Sequence, residues 1–243
     1  MELWLFIIFL IFYEPLVGFF MYKRFKRNLK LNKEAKVRYY RFIMIGLWVP
    51  TLYIILLILF TELRFVDLGI GTVVVNTAQF DSWISYSVLG LGTLYFIYCL
   101  FIAIGYHYIP KIRKQIKEQK QKMNDSDISI LLPVTNKEKK IWTYVSITTG
   151  ITEEIIYRGF TIYALTELFP NLSTFLIIGI SSILFGLAHT YQGISGVIRT
   201  SIVGFIFGLL YLVLGSIIPI IILHFLINFI AKLDEDHIQS QHT

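Results

Sequence analysis

Apolar residues run in seven long blocks along the chain, at roughly 3–21, 40–60, 83–109, 141–165, 173–190, 196–214 and 217–233. About 20 apolar residues suffice to cross a bilayer as a helix. The pattern therefore predicts an all-α, polytopic membrane helix bundle of about seven transmembrane helices. The first block, "LWLFIIFLIFYEPLVGFFM", has neither a basic flank before it nor a small-residue cleavage site after it, and reads as a retained helix. The fourth block has a half-polar start, "KEKKIWTYVSITTG", which leaves open an interfacial course before the chain turns inward.

Polar segments divide the blocks. Residues 1–110 form an N-terminal three-helix membrane region, 111–140 a basic loop, 141–233 a four-helix core and 234–243 a tail. The stretch "RKQIKEQKQKMNDSDIS" reads as a solvated helical extension that breaks at "MNDSD". The tail "DEDHIQSQHT", with His237 and His242, reads as disordered and solvated. No internal repeat or low-complexity tract is evident.

Composition agrees with the pattern. Of 243 residues, 56% are hydrophobic and 16% charged, where a soluble domain carries roughly 25% charged residues. The net charge of +6 raises the question of nucleic acid, but its distribution answers it. Nine Lys or Arg fall within residues 23–41 and nine within 111–140, eighteen of the 22 in the chain. Both clusters abut apolar helices, so they read as cytoplasmic loops facing anionic lipid headgroups, with Phe25, Tyr39 and Tyr40 as interfacial anchors. Nucleic acid is not an expected partner. The charge places the N-terminus outside and the C-terminus in the cytoplasm of a multi-pass cell-membrane protein. The loop 61–82, with Glu62, Asp67 and Asp81 against Arg64, suits the outer side. The single cysteine, Cys99, cannot pair internally and reads as a packing residue.

Against this apolar background the polar residues stand out. Glu154 and Arg158 are spaced i, i+4 and share a helix face, with Glu153 about 100° away. Phe185 and His189 are again i, i+4, as are His224 and Asn228. None of these polar groups faces lipid cheaply, since a charge at mid-membrane costs on the order of 3 kcal/mol or more. Pointing them at one another in a polar cavity is the low-cost arrangement. Gly150, Gly159, Gly179, Gly186, Gly204 and Gly208 would let the helices approach closely around it. Each group has a plainer reading: Glu154–Arg158 a structural ion pair, each histidine an interhelical donor, Asn228 helix–helix glue. Together they supply what amide hydrolysis needs: a base for water, a proton donor for the leaving nitrogen and donors for the oxyanion. Glu14, before Pro15 in the first block, either faces the cavity or pairs across the bundle. Two other functions fit a small polytopic protein. A scaffold or immunity protein would tolerate loss of Glu153. A transporter would show inverted repeats and broken helices, which the sequence lacks.

"EEIIYR" at 153–158, "FGLAH" at 185–189 and "HFLIN" at 224–228 carry a resemblance. In this order, on successive apolar segments, they resemble the motifs of the CPBP family of CAAX proteases and bacteriocin-processing enzymes, also called the ABI family, to which the eukaryotic Ras-converting endopeptidase belongs. The resemblance covers roughly residues 140–232. It implies that 141–233 is a catalytic four-helix core of an intramembrane endopeptidase acting on a membrane-associated peptide substrate. It implies that Glu153 and His189 hold and activate the attacking water, that His224 and Asn228 stabilise the oxyanion, and that Glu154 and Arg158 brace the first motif. Small bacterial members, including a staphylococcal type that matures a quorum-sensing peptide precursor, extend the expectation to processing of a pheromone or bacteriocin precursor. No HExxH motif is present, and no metal is expected to be required. The alternative is a zinc site of Glu153, His189 and His224. His189 ends its span near the inner face, and Glu153 and His224 lie within about 18 Å of helix rise of that face, so the cavity is expected to open to the cytoplasmic leaflet.

Overall fold

The computed structural model describes residues 2–29, 31–32, 34–122 and 127–233, without the side chains of 120–122 and 127–128. The tail with His237 and His242, and all but the last residue of the expected break at "MNDSD", lie outside the described residues. Among the described residues there are helices and no strand. Helices α1 (Glu2–Leu29), α2 (Ala35–Phe60) and α3 (Ser82–Tyr108) coincide with the first three apolar blocks. α1 continues well past the expected end at Met21, through the basic segment. Lys26 and Arg27 in its last turn complement the negative end of the helix dipole. Pro110 opens α4 (Pro110–Lys122), where its missing N–H costs nothing, and α5 (Asp127–Leu131) follows.

The fourth block departs from a single helix over 141–165. α6 starts earlier, at Asn136, because "TNKE" forms a capping box: Thr135 Oγ1 accepts from the Glu138 N–H at 3.2 Å, and Glu138 accepts from the Thr135 N–H at 3.2 Å. Glu138 also accepts from the Val134 N–H at 2.7 Å and lies 3.8 Å from Lys36 Nζ on α2. The half-polar start is therefore a capped helix end pinned to α2. α6 stops at Glu153, and Glu154–Thr161 winds as a π-helix before α7 (Ile162–Leu168) resumes the α form. Thr161 Oγ1 donates to the Ile156 carbonyl five residues back, at 2.7 Å, in keeping with the wider turn. Every residue from Glu154 to Thr161 is buried. Such π segments are rare and are frequent at functional sites.

α8 (Thr174–Leu187), a short 3₁₀ turn at Thr190–Gln192, α9 (Gly193–Leu214) and α10 (Ile218–Ile230) complete the bundle. Among the described residues, four helices are long and apolar enough to cross a membrane: α1, α2, α3 and α9 with its preceding turn. α8 and α10, at 14 and 13 residues, are apolar but shorter. At about 1.5 Å per residue they reach roughly 20 Å, less than the ~30 Å of hydrocarbon.

Gly150 lets α6 approach α10: a Cβ there would lie 3.1 Å from the Ile221 carbonyl oxygen. Gly186 does the same for α8 and α9, where a Cβ would lie 2.7 Å from the Val197 carbonyl oxygen. Gly179, expected to act alike, has nothing within 4 Å and plays no such part. Both halves share one core, in which Leu10, Ile54 and Cys99 pack in the same cluster as Phe160, Phe185 and Ile220. The outer faces of α1–α3 are apolar and exposed, as at Leu91, Leu94, Phe101 and Ile104 on α3, which suits a lipid surround. The 61–82 loop clasps the α9–α10 turn: the Ile217 N–H donates to the Gly69 carbonyl at 2.9 Å and Ser216 Oγ to Gly71 at 2.8 Å.

Candidate active site

The π-helix sets two adjacent glutamates to different tasks. Glu154 is fully buried and holds two partners. Its Oε2 lies 3.2 Å from Arg158 Nε, an ion pair without the alignment of a hydrogen bond. Its Oε1 lies 2.6 Å from His224 Nδ1 on α10. The carboxylate of an ion pair can only accept, so His224 Nδ1 carries the proton and donates. The Arg158 guanidinium, 1% exposed, sits 4.2 Å from the centre of the Phe185 ring and 5.3 Å from that of Phe207. Cation–π contact of this kind holds a desolvated cation by up to about 2 kcal/mol. Phe185 is the hub of the site. Its ring also meets Tyr157 at 5.1 Å and His189 at 4.8 Å between centroids.

Glu153 faces the other way. Its Oε2 lies 3.7 Å from His224 Nε2. His189, at the end of α8, has Nδ1 2.9 Å from the carbonyl oxygen of Phe185. A carbonyl accepts only, so in the neutral ring Nδ1 carries the proton and Nε2 keeps its lone pair. Both imidazoles are thus anchored through Nδ1, and Nε2 is the nitrogen left for chemistry. Asn228, one turn beyond His224, donates through Nδ2 to Thr149 Oγ1 at 2.9 Å and retains a second amide N–H. Thr149 in turn donates to the Val145 carbonyl at 3.0 Å, which fixes its oxygen as the acceptor.

Of the six residues singled out in the motifs, Glu153, His189, His224 and Asn228 line one cavity of about 430 Å³. Glu154 and Arg158 do not reach it and stand behind it. The arrangement offers a carboxylate and two oriented imidazoles around a space large enough for an extended segment, with an amide at its edge. Among the described residues, no three His, Cys, Asp or Glu side chains form a group placed to hold a metal ion, the Glu153–His189–His224 set included.

Sequence reasoning missed several members. Trp142 and Thr149 line the cavity, and the Trp142 indole N–H donates to the Asn228 carbonyl at 2.8 Å. A signal existed: Trp142, Val145, Thr149 and Glu153 follow helical spacing, so all four fall on one face of α6. Tyr191, Gln192 and Arg199 also line it, and Arg199 donates to Gln192 Oε1 at 2.8 Å. Nothing marked Tyr191 and Gln192, whereas Arg199, a charge inside the 196–214 apolar block, stood out by contrast. Glu14 borders a smaller neighbouring cavity of about 90 Å³, together with Glu153, Tyr157 and His189.

Residues 137–230 match the family model of the Rce1-like type II CAAX prenyl endopeptidases. The matched stretch holds all three motifs and leaves α1–α5 outside it. The match supports an intramembrane endopeptidase of CAAX type. No curated protein and no solved structure matches the chain.

Proposed function

From the match of residues 137–230 to the Rce1-like type II CAAX prenyl endopeptidase family model, we propose that this protein hydrolyses a peptide bond near the membrane-embedded or lipid-anchored end of a peptide. Glu153 acts as general base, and cleavage proceeds without a required metal. The observation that carries the reading is the convergence of Glu153, His189, His224 and Asn228 on one cavity.

Water held between Glu153 and His189 Nε2 gives a proton to Glu153 as its oxygen bonds to the scissile carbonyl carbon. The oxyanion that forms is met by the second N–H of Asn228. It is also met by His224 Nε2 when that ring carries both protons, with Nδ1 held on the Glu154 carboxylate. The proton on Glu153 then passes, directly or through His189, to the leaving nitrogen as the C–N bond breaks. General-base catalysis of this kind contributes about 10²–10⁴-fold.

Substrates enter from the cytoplasmic leaflet, where the basic segments at 23–41 and 111–140 hold the enzyme against anionic headgroups. The substrate class that fits this reading is the precursor of a secreted peptide, a pheromone or a bacteriocin. Purified enzyme in lipid nanodiscs, given a prenylated peptide ending in Cys-aliphatic-aliphatic-X, tests the activity by mass spectrometry. Wild type is expected to release the C-terminal fragment before and after thorough chelation, and Glu153→Gln to release none. Activity lost on chelation and restored by zinc would replace this mechanism with a metal-dependent one. Comparison of membrane peptides from cells with wild type and with Glu153→Gln identifies the natural precursor.

A further inference from the structure

Resting on the reading above, we propose that Glu14, on α1 and outside the family-matched stretch, is a working residue of the active site that holds the attacking water on the α1 side of Glu153. Three observations place it there. First, Glu14 borders the small cavity that Glu153, Tyr157 and His189 also line, so it shares that space with the two groups assigned to the water. Second, the Tyr157 hydroxyl, on the same cavity, is buried with its residue 1% exposed, and has no hydrogen-bond partner among the described residues. A buried hydroxyl without a protein partner is met by a bound water where the space is polar, and a volume of about 90 Å³ has room for it. Third, α1 is docked at this level onto the segment that carries His189. Thr190 Oγ1 donates to the Pro15 carbonyl at 3.1 Å, and a Cβ on Gly18 would lie 3.8 Å from the Ala188 carbonyl oxygen. Glu14 is therefore held against the site by a contact one residue on either side of the motif histidine.

The chemistry follows from the donors and acceptors. The water donates one hydrogen to Glu153, shares the other between Glu14 and His189 Nε2, and receives the Tyr157 O–H. Its lone pair is thereby turned toward the main cavity, where the scissile carbonyl lies. Glu153 removes its proton as the C–O bond forms, while Glu14 keeps the second O–H in place and takes no proton itself. Glu14 is a water-positioning residue, and its loss is felt in turnover more than in substrate binding.

The test uses the full chain in nanodiscs with the prenylated Cys-aliphatic-aliphatic-X peptide as probe. Glu14→Leu is expected to lower kcat at least tenfold with KM within twofold and an unchanged unfolding temperature. Glu14→Gln, which keeps an acceptor oxygen, should recover most of that loss. A second measurement needs no substrate. In a Cys99→Ser background, Glu14→Cys should react with a small water-soluble methanethiosulfonate, while Phe12→Cys and Leu16→Cys, at positions 58% and 52% exposed on the outer face of α1, should stay inert. Wild-type turnover in Glu14→Leu, or a loss that follows the unfolding temperature and is not recovered by Glu14→Gln, overturns the proposal, as does a Glu14→Cys as inert as the outer-face controls. If wild type and Glu153→Gln treat the peptide alike, it is the peptidase reading that fails, and the labelling alone then decides whether position 14 faces the water of the site.

Discussion

Glu153 and Glu154 are consecutive residues of the same type, yet the fold gives them opposite surroundings. Glu154 lies on the dry side of the π-helix, at 0% side-chain exposure, tied to Arg158 and to the inner nitrogen of His224. Glu153 lies on the wet side, bordering both the 430 Å³ and the 90 Å³ cavities. The dry side resembles a structural ion pair and the wet side a reactive group. The identity of a carboxylate thus says little about its role until its neighbours are known. It also explains the order of the motif: one glutamate fixes the imidazole that the other works beside.

The dry side should break by unfolding. Arg158→Ala strands a buried carboxylate, a penalty of about 3–5 kcal/mol, and is expected to show as a large fall in unfolding temperature and membrane abundance. Glu154→Gln combined with Arg158→Gln removes both charges and should recover part of the abundance. A stable, inactive Arg158→Ala would move the arginine from the dry side to the substrate.

The wet side should break by catalysis alone. Glu153→Gln keeps volume and is expected to cost at least ~10²-fold in kcat, with the unfolding temperature unchanged in a thermal melt. Phe185 belongs to both sides, since its ring supports Arg158 and contacts His189. Phe185→Leu forfeits the cation–π contact, about 2 kcal/mol in a desolvated site, and should lower both the melting temperature and kcat. Thr149→Val sharpens the edge of the wet side. It removes the acceptor that orients Asn228 at a cost of about 1 kcal/mol, and steady-state kinetics should show roughly a fivefold lower kcat with little change in stability.

Much of this was legible in the sequence because membranes penalise polar groups. In an apolar chain, Glu153, His189, His224 and Asn228 stand out by contrast, and i, i+4 spacing assigns them faces. The π-helix was not legible. Glu154 and Arg158 satisfy α-helical spacing, so nothing in "EEIIYR" announces the wider turn. The early start of α6 was hidden for the opposite reason: "TNKE" carries a capping box, but its polarity read as loop. Glu14 could be seen as an anomaly and not placed, because only tertiary packing of α1 against the His189 segment decides which way it faces.

The most direct test sets the two glutamates side by side. In one preparation, kcat on the prenylated peptide and the unfolding temperature are measured for wild type, Glu153→Gln and Glu154→Gln. Glu153→Gln is expected to lose turnover at least ~10²-fold at an unchanged melting temperature, and Glu154→Gln, which leaves Arg158 buried without its counter-charge, to lose several degrees first and activity with them. Near-normal turnover in a well-folded Glu153→Gln would contradict it.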